Sequence, residues 1–564
     1  MGEEVPATSD VVTPDTPEAA ELPPRDSQAS FVKNTAVMSV GTALSRITGL
    51  LRVSAMAVAL GVVEHRITDA YNIANTTPNI VYELALGGIL SSVFVPVFVE
   101  WLQRRGQDEA WDAAQRVMTI AVAVLGSLTV LGILAAPFII RLYTIGQSGA
   151  RAAATRELGT FFLRWFMPQI LFYGIGAVAT GLLNAHRRFA APMFAPILNN
   201  VMVIATFLLF AAMAGPERLQ PGHVVTTVQE LVLAIGTTLG IAAMTAALWP
   251  SLRKLGFRFR LRRQWRHEAV SRIAHLAKWT VVYVAANQLG YLVVLILANG
   301  GAQGDYSAYV FALIIFQLPH AIFAVSIFTA LLPAMSGRWA DGDRDGFRSF
   351  LAQGIRATAL IVIPASLGYL VLTTPIVRLV LQNGVAGPAS TDRVSSILVF
   401  FAIGLFPFSL FQLLLRAFYS MQDTRTPALI NIAAVAVNTA ANFIYYFAFG
   451  LGVRGLALGL ATAYTFASIA ALVVIRRRLG GVEGRRVLSG IGRTLIAAAA
   501  TGLVAWSVAR LLGDVLGTAT KVAQLLQVLT AVIAGVLAFA VVALILRIDE
   551  VALVKRQLTA RWHR

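Results

Sequence analysis

No cysteine occurs among the 564 residues, so a disulfide framework, a thiolate metal site and a cysteine nucleophile are all excluded. Charge is scarce as well: charged residues make up 13% of the chain, with 46 Lys+Arg against 28 Asp+Glu for a formal net charge of +18. Catalytic signatures are missing too. There is no GxSxG, no phosphate loop ending in GK[ST], no HExxH and no acid pair in an outer loop. No cofactor is implied. In a soluble protein the basic balance would suggest nucleic acid, but these bases sit in short loops rather than on a folded surface. They read as topology signals and as attraction to anionic membrane lipids.

What is present is one unit repeated about fourteen times between Phe31 and Arg547: an apolar run of 18 to 28 residues, then a short break with charge, Pro or Gly. A bilayer core of ~30 Å takes ~20 apolar residues per crossing helix, so each run is long enough to span. Hydrophobic residues are 57% of the chain and mean hydropathy is +0.71. The expected fold is an all-α polytopic membrane protein. Its spans fall near 33–61, 69–100, 115–141, 158–183, 189–213, 227–250, 273–298, 306–335, 350–373, 395–419, 427–448, 455–475, 490–510 and 522–546. Residues 1–30 are acidic and rich in Pro, Ser and Thr, which reads as a disordered tail rather than a signal peptide.

Loop charge orients the chain. The loop 251–272 carries eight Lys+Arg, and RRRLGGVEGRR at 476–486 another five. The positive-inside rule then puts both termini in the cytoplasm. An internal repeat is also legible. Pro96 and Pro333 each break an apolar stretch that ends in a loop mixing Arg with acids, 237 residues apart. Pro192 and Pro427 each open a span after a polar turn with Arg, 235 residues apart. Spans 1–6 (31–250) and 7–12 (273–480) therefore read as duplicated lobes joined by the basic linker 251–272. Spans 13–14 (481–547) form an appendage, followed by a basic tail at 548–564. Two lobes around a midplane site is a secondary-transporter architecture.

The first span buries Arg46 and Arg52, each costing ~2.5–3.5 kcal/mol at a bilayer centre, so both are expected to face a polar cavity. They lie ~9 Å apart along the axis and ~120° around it; one alone could snorkel to a headgroup. Gly41, Ser45 and Gly49 form a small-residue stripe for close helix packing. In the second span Asp69, Asn72, Thr76, Asn79 and Glu83 recur at helical spacing, a polar face suited to an aqueous cavity against the first span. Glu83 is read as deepest, either a partner for Arg46 or Arg52 or a substrate contact. The second lobe offers Asn287, Gln288, Gln317, His320, Asn431, Asn438 and Asn442 as an ion or polar site, although interhelical hydrogen bonds explain most of them. Arg356 and Arg416 read as snorkelling to the cytoplasmic face.

The segments SRITGLLRVSAMAVALG and DAYNIANTTPNI resemble the opening of the MurJ/MviN proteins, lipid II flippases of the MOP (MATE-like) superfamily. The resemblance continues in GLLNAHRRFAAPMFAPILNN, QLPHAIFAVSIFTALLPAMS and RAFYSMQDTRTP, covering about residues 31–480. It implies about 14 transmembrane helices in two six-helix lobes plus two, with a cationic cavity for a diphosphate–sugar headgroup. It also implies a groove by the last two helices for the polyprenyl tail. Arg46 and Arg52 match the family's first-span arginines, and Asp69 and Asn79 its second-span acid and Pro-Asn pair. Tyr82 and Ile314 stand where two further family arginines are usual, and the seventh-span acid of some members falls near Val294. The chain resembles actinobacterial-type members without the kinase-like extension that some carry.

The expected function is a flippase, not an enzyme, moving an undecaprenyl-diphosphate-linked peptidoglycan precursor from the inner to the outer leaflet by alternating access. Cell-wall synthesis or division proteins are candidate partners. The alternatives are a flippase for another polyprenyl-linked glycan, a cationic drug antiporter, a membrane-embedded transferase, and a non-transporting cell-wall scaffold.

Overall fold

The computed structural model describes residues 28–86, 94–219, 225–260, 268–548 and 550. The acidic segment 1–27, much of the basic linker (261–267) and the tail 551–564 lie outside these. The described chain is helical, with no strand among the described residues. The first group of helices is α1 (Gln28–Leu60), α2 (Arg66–Leu86), α3 (Val95–Tyr143), α4 (Gly149–Phe166), α5 (Gln169–Ala185), α6 (Ala190–Ala214), α7 (Thr227–Ala246) and α8 (Trp249–Lys254). A second group follows: α9 (Glu268–Gly300), α10 (Asp305–Pro319), α11 (Val325–Ala340), α12 (Arg344–Leu381), α13 (Pro388–Ile403), α14 (Leu405–Ser420), α15 (Arg425–Phe443) and α16 (Val453–Leu479). Last come α17 (Gly484–Leu516) and α18 (Lys521–Ile545). A π-helical turn, His320–Ala324, links α10 to α11.

Twelve described helices are long and apolar enough to cross a membrane, or thirteen if α13 and α14, bent by 49° at Gly404, make one broken span. The expected fourteen is not reached on length and apolarity alone. The helix that falls short is α2, whose Asp, Asn, Thr and Glu side chains dilute its apolar residues. Helix α3 is longer than a bilayer is thick because it is two helices: Gly106 (φ 83°, ψ 176°) turns the chain, a conformation glycine adopts without a Cβ clash. Large apolar side chains such as Leu134 and Phe138, 72% and 71% exposed, cover the outside, where lipid rather than water is their solvent.

Within the first group α1 lies along α6, α3, α4 and α5 pack against α2, and α7 packs on α4, α5 and α6. The stripe Gly41–Ser45–Gly49 is what lets α1 approach: a Cβ on Gly41 would stand 2.8 Å from the Cβ of Met193. Asn200 of α6 donates to the Ser45 carbonyl at 3.2 Å and to Thr48 Oγ1 at 3.0 Å. In the second group α9, α15 and α16 pack together, as do α10, α12, α13 and α14, while α17 and α18 lean on α12. Hydrogen-bonding side chains start several helices: Thr226 and Gln229 form a reciprocal cap on α7, and Asp343 accepts from Gly346 N at 2.7 Å to start α12.

The two groups meet unequally. One end of the bundle carries the turns at 61–65, 144–148, 300–304 and 382–387; the other carries 106, 186–189, 255–260, 341–343, 421–424 and 480–483. Among the described residues, hydrogen bonds between the groups lie toward the 61–65 end. Val385 N donates to Val58 O at 3.1 Å and Ala386 N to Ala57 O at 3.2 Å. Gln303 donates to Val63 O, Gln147 to Asn299 O, and Arg151 to Gly301 O. The Glu64 carboxylate accepts from Gly387 N at 2.9 Å and from Ser390 Oγ. Gly304 (φ 81°) fits so tightly that a Cβ would stand 2.5 Å from the Val63 Cα. That end is closed.

Candidate functional site

Between the groups, on the open side of this seal, three cavities adjoin. One of about 230 Å³ is bordered by Arg46, Arg52, Asn199, Asn200 and Gln317. A second, of about 300 Å³, is bordered by Arg52, Asn72, Asn75, Thr76, Asn79 and Asn199 among others. Arg52, Asn199 and Ile314 border both. Arg46 is exposed and Arg52 half-buried, and neither makes an ion pair among the described residues. The first-span helix therefore presents two uncompensated cations to one gap, where an anion has room to reach them.

The polar face of α2 divides by depth. Asn72 Nδ2 donates to Ser307 Oγ at 3.0 Å, Thr76 exchanges a hydrogen bond with Tyr306 Oη at 2.8 Å, and Asn79 donates to Asn75 O. All three border the 300 Å³ cavity. Asp69 does not, which corrects the expectation that the whole stripe lines one cavity. Asp69 is buried and accepts from Gly304 N at 2.7 Å, Ser307 N at 3.2 Å and Ser307 Oγ at 2.7 Å. It satisfies the free N–H groups at the start of α10, 235 residues away, where the helix dipole favours a carboxylate. Glu83 corrects a second expectation. It is exposed rather than deepest, and it forms no ion pair with Arg46 or Arg52.

Asn287, Gln288, Gln317, Asn431 and Asn438 come together, bordering a cavity of about 260 Å³ with Tyr291, Tyr309 and Tyr464. No charged side chain borders it. Asn438 accepts from Asn442 Nδ2 at 3.0 Å, while Nδ2 of Asn431 and of Asn438 is buried without a partner. His320 is not part of this cluster. Its Nδ1 pairs with Ser409 Oγ at 2.9 Å, and its ring lies 4.5 Å from that of Phe408. Gln317 borders both this cavity and that of Arg46, so the three lie side by side. Two of the three substituted family positions stand on its walls: Ile314 beside both arginines and Val294 in the amide cavity. The third, Tyr82, packs its ring 5.2 Å from Tyr173, which borders Arg52's cavity.

Arg356 does not snorkel. It is 8% exposed and its Nε pairs with Glu550 Oε1, with Glu483 Oε2 4.0 Å away. Asn75, Asn199 and Asn200 were missed as site residues. The paired amides of PILNN inside an apolar span were the available signal, since lipid-facing asparagines are costly.

The family model for the lipid II flippase MurJ matches residues 56–526. A probable lipid II flippase MurJ of Vibrio cholerae is 28% identical over 486 residues, 84% of this chain and 89% of that one. One of Rhizobium meliloti is 30% identical over 412 residues, 73% of this chain and 74% of that one. The lipid II flippase MurJ of Burkholderia cenocepacia is 27% identical over 441 residues, 78% and 82% of the two chains. Among solved structures, a lipid II flippase MurJ in an inward closed conformation superposes with a TM-score of 0.72 at 22% identity, covering 92% of this chain and all of that one. An inward-facing multidrug resistance MATE family transporter of the MOP superfamily gives 0.59 at 12% identity, covering 80% and 99%.

Proposed function

The chain belongs to the lipid II flippase MurJ family, and we propose from its cavity how it carries the lipid-linked peptidoglycan precursor from the inner to the outer leaflet. It is a transporter, not an enzyme. The observation that carries the mechanism is a pair of cations, Arg46 and Arg52, without an ion-pair partner among the described residues, in a gap sealed at one end. The open end bears the basic loops, so the positive-inside rule assigns it, with both termini, to the cytoplasm. The precursor enters there, and its diphosphate takes bidentate hydrogen bonds from the two guanidinium groups. Asn72, Thr76, Asn79 and Asn199 contact oxygens beside it, and the amide cavity offers uncharged hydrogen bonds to the sugar end.

Release requires the sealed end to part. Asp69 and Glu64 are the carboxylates that must then leave their backbone donors, so we assign Asp69 to the gate rather than to the headgroup. The groups α1–α8 and α9–α16 act as the two lobes, and α17–α18 flank the polyprenyl tail. Basic loops hold anionic lipids, and cell-wall synthesis or division proteins receive the product. The inside-negative potential favours the step: exporting two negative charges at 100 mV gains ~4–5 kcal/mol. Depletion of the protein followed by leaflet-resolved labelling of lipid II tests the reading. Precursor should accumulate in the inner leaflet, and undiminished outer labelling would refute it.

A further inference from the structure

Arg416 has no place in the mechanism above, yet like Arg46 it makes no ion pair among the described residues. It sits on α14 seven residues after Ser409, two turns along the same helix face. Ser409 holds His320, and the Arg416 guanidinium carbon lies 5.4 Å from the centroid of Phe328, whose ring is 5.8 Å from that of His320. Arg416 and His320 thus flank one aromatic shelf. His320 lies in the π-helical turn between α10 and α11, an irregularity that often marks a working position. It follows Leu318, which with Gln317 borders the cavity of Arg46, by two residues.

The contrast with Arg356 is informative. Arg356 lies in the same group of helices and is neutralised by Glu550. Arg416 makes no ion pair among the described residues, and its Nε is buried without an acceptor. A half-buried arginine without a carboxylate lacks a counter-ion. A ligand oxyanion supplies one.

We propose that Arg416, placed by the Phe328 ring and flanked by His320, is a second oxyanion-binding station that faces Arg46 across the cavity. This rests on the transport reading. It places a cation on the second lobe, where Ile314 leaves none, so an anionic headgroup bridges both lobes when bound. The oxyanion is a phosphate or carboxylate of the precursor.

Purified full-length protein, binding undecaprenyl diphosphate and, separately, complete lipid II, tests this. Arg416→Gln should weaken binding by about tenfold or more, the scale of one charge-assisted bond, without lowering the melting temperature. Arg416→Lys, which keeps the charge and loses the fork, should fall between. A loss on both ligands assigns the diphosphate to Arg416; a loss only on lipid II assigns a carboxylate of its peptide. Should Arg416→Gln not fold, Arg416→Cys in this cysteine-free chain gives a second measurement, since undecaprenyl diphosphate or lipid II should protect it from an anionic thiol reagent. Unchanged binding of both ligands by Arg416→Gln, or Arg416→Cys labelled equally fast with either, overturns the proposal. If the unaltered protein binds neither ligand, the transport reading fails instead.

Discussion

At the scale of single residues, Arg46 and Arg52 stand out because among the described residues neither has an acid to neutralise it. Arg46→Ala and Arg52→Ala should each abolish complementation of a depleted flippase while protein levels stay near normal. Normal growth of both variants would remove the diphosphate clamp from the account. These two were legible in the sequence, since a charge inside an apolar run is costly wherever it points. Asp69 was not legible in the same way. Its spacing fits the polar stripe of α2, and only the fold reveals that its partners lie at Gly304 and Ser307. Asp69→Ala should therefore loosen the closed end rather than headgroup binding. Single cysteines placed at 146 or 300 in that variant should be labelled faster, with undecaprenyl diphosphate affinity changed less than in Arg52→Ala.

At the scale of elements, the helices that resisted sequence reading were those whose polarity is used internally. The polar face of α2 lowers its apolarity below that of a plain span, and the Gly106 turn hides a helix boundary inside α3. The small-residue stripe of α1 could be read because glycine every fourth residue has few uses besides close approach. Arg356 could not, because its partner Glu550 is 194 residues away. That buried pair fastens the far ends of α17 and α18 to α12. Arg356→Ala should cost about 3–5 kcal/mol by leaving a carboxylate stranded, read as a lowered melting temperature in detergent. Pairing Arg356→Met with Glu550→Leu should recover most of the loss.

At the scale of the whole molecule, the question is what resets the cycle. No carboxylate borders the amide cavity among the described residues, and Val294 stands on its wall. Transport should therefore follow membrane potential and tolerate sodium removal, the field acting on Arg46 and Arg52 at ~2.3 kcal/mol per full charge crossing at 100 mV. Spheroplasts with potential, pH gradient and sodium varied independently provide the measurement. Flipping that persists at zero potential and stops without sodium would contradict it. Orientation has its own check: single cysteines at 103–108 and 255–260 should be reached from the cytoplasm, and those at 146–150 from outside.

The closed end is written largely in main-chain atoms. Val58, Ala57, Val63, Asn299 and Gly301 all contribute carbonyls to it, and any residue type has a carbonyl. The hydrogen bonds themselves therefore do not dictate side-chain identity at those positions, although packing still does: Ala57 and Asn299 are buried, and a Cβ on Gly301 would collide with Asp305 Oδ2. The side chains that do mark this gate are few and polar: the carboxylates of Asp69 and Glu64, the amides of Gln147 and Gln303, Arg151, and the hydroxyls of Ser307 and Ser390.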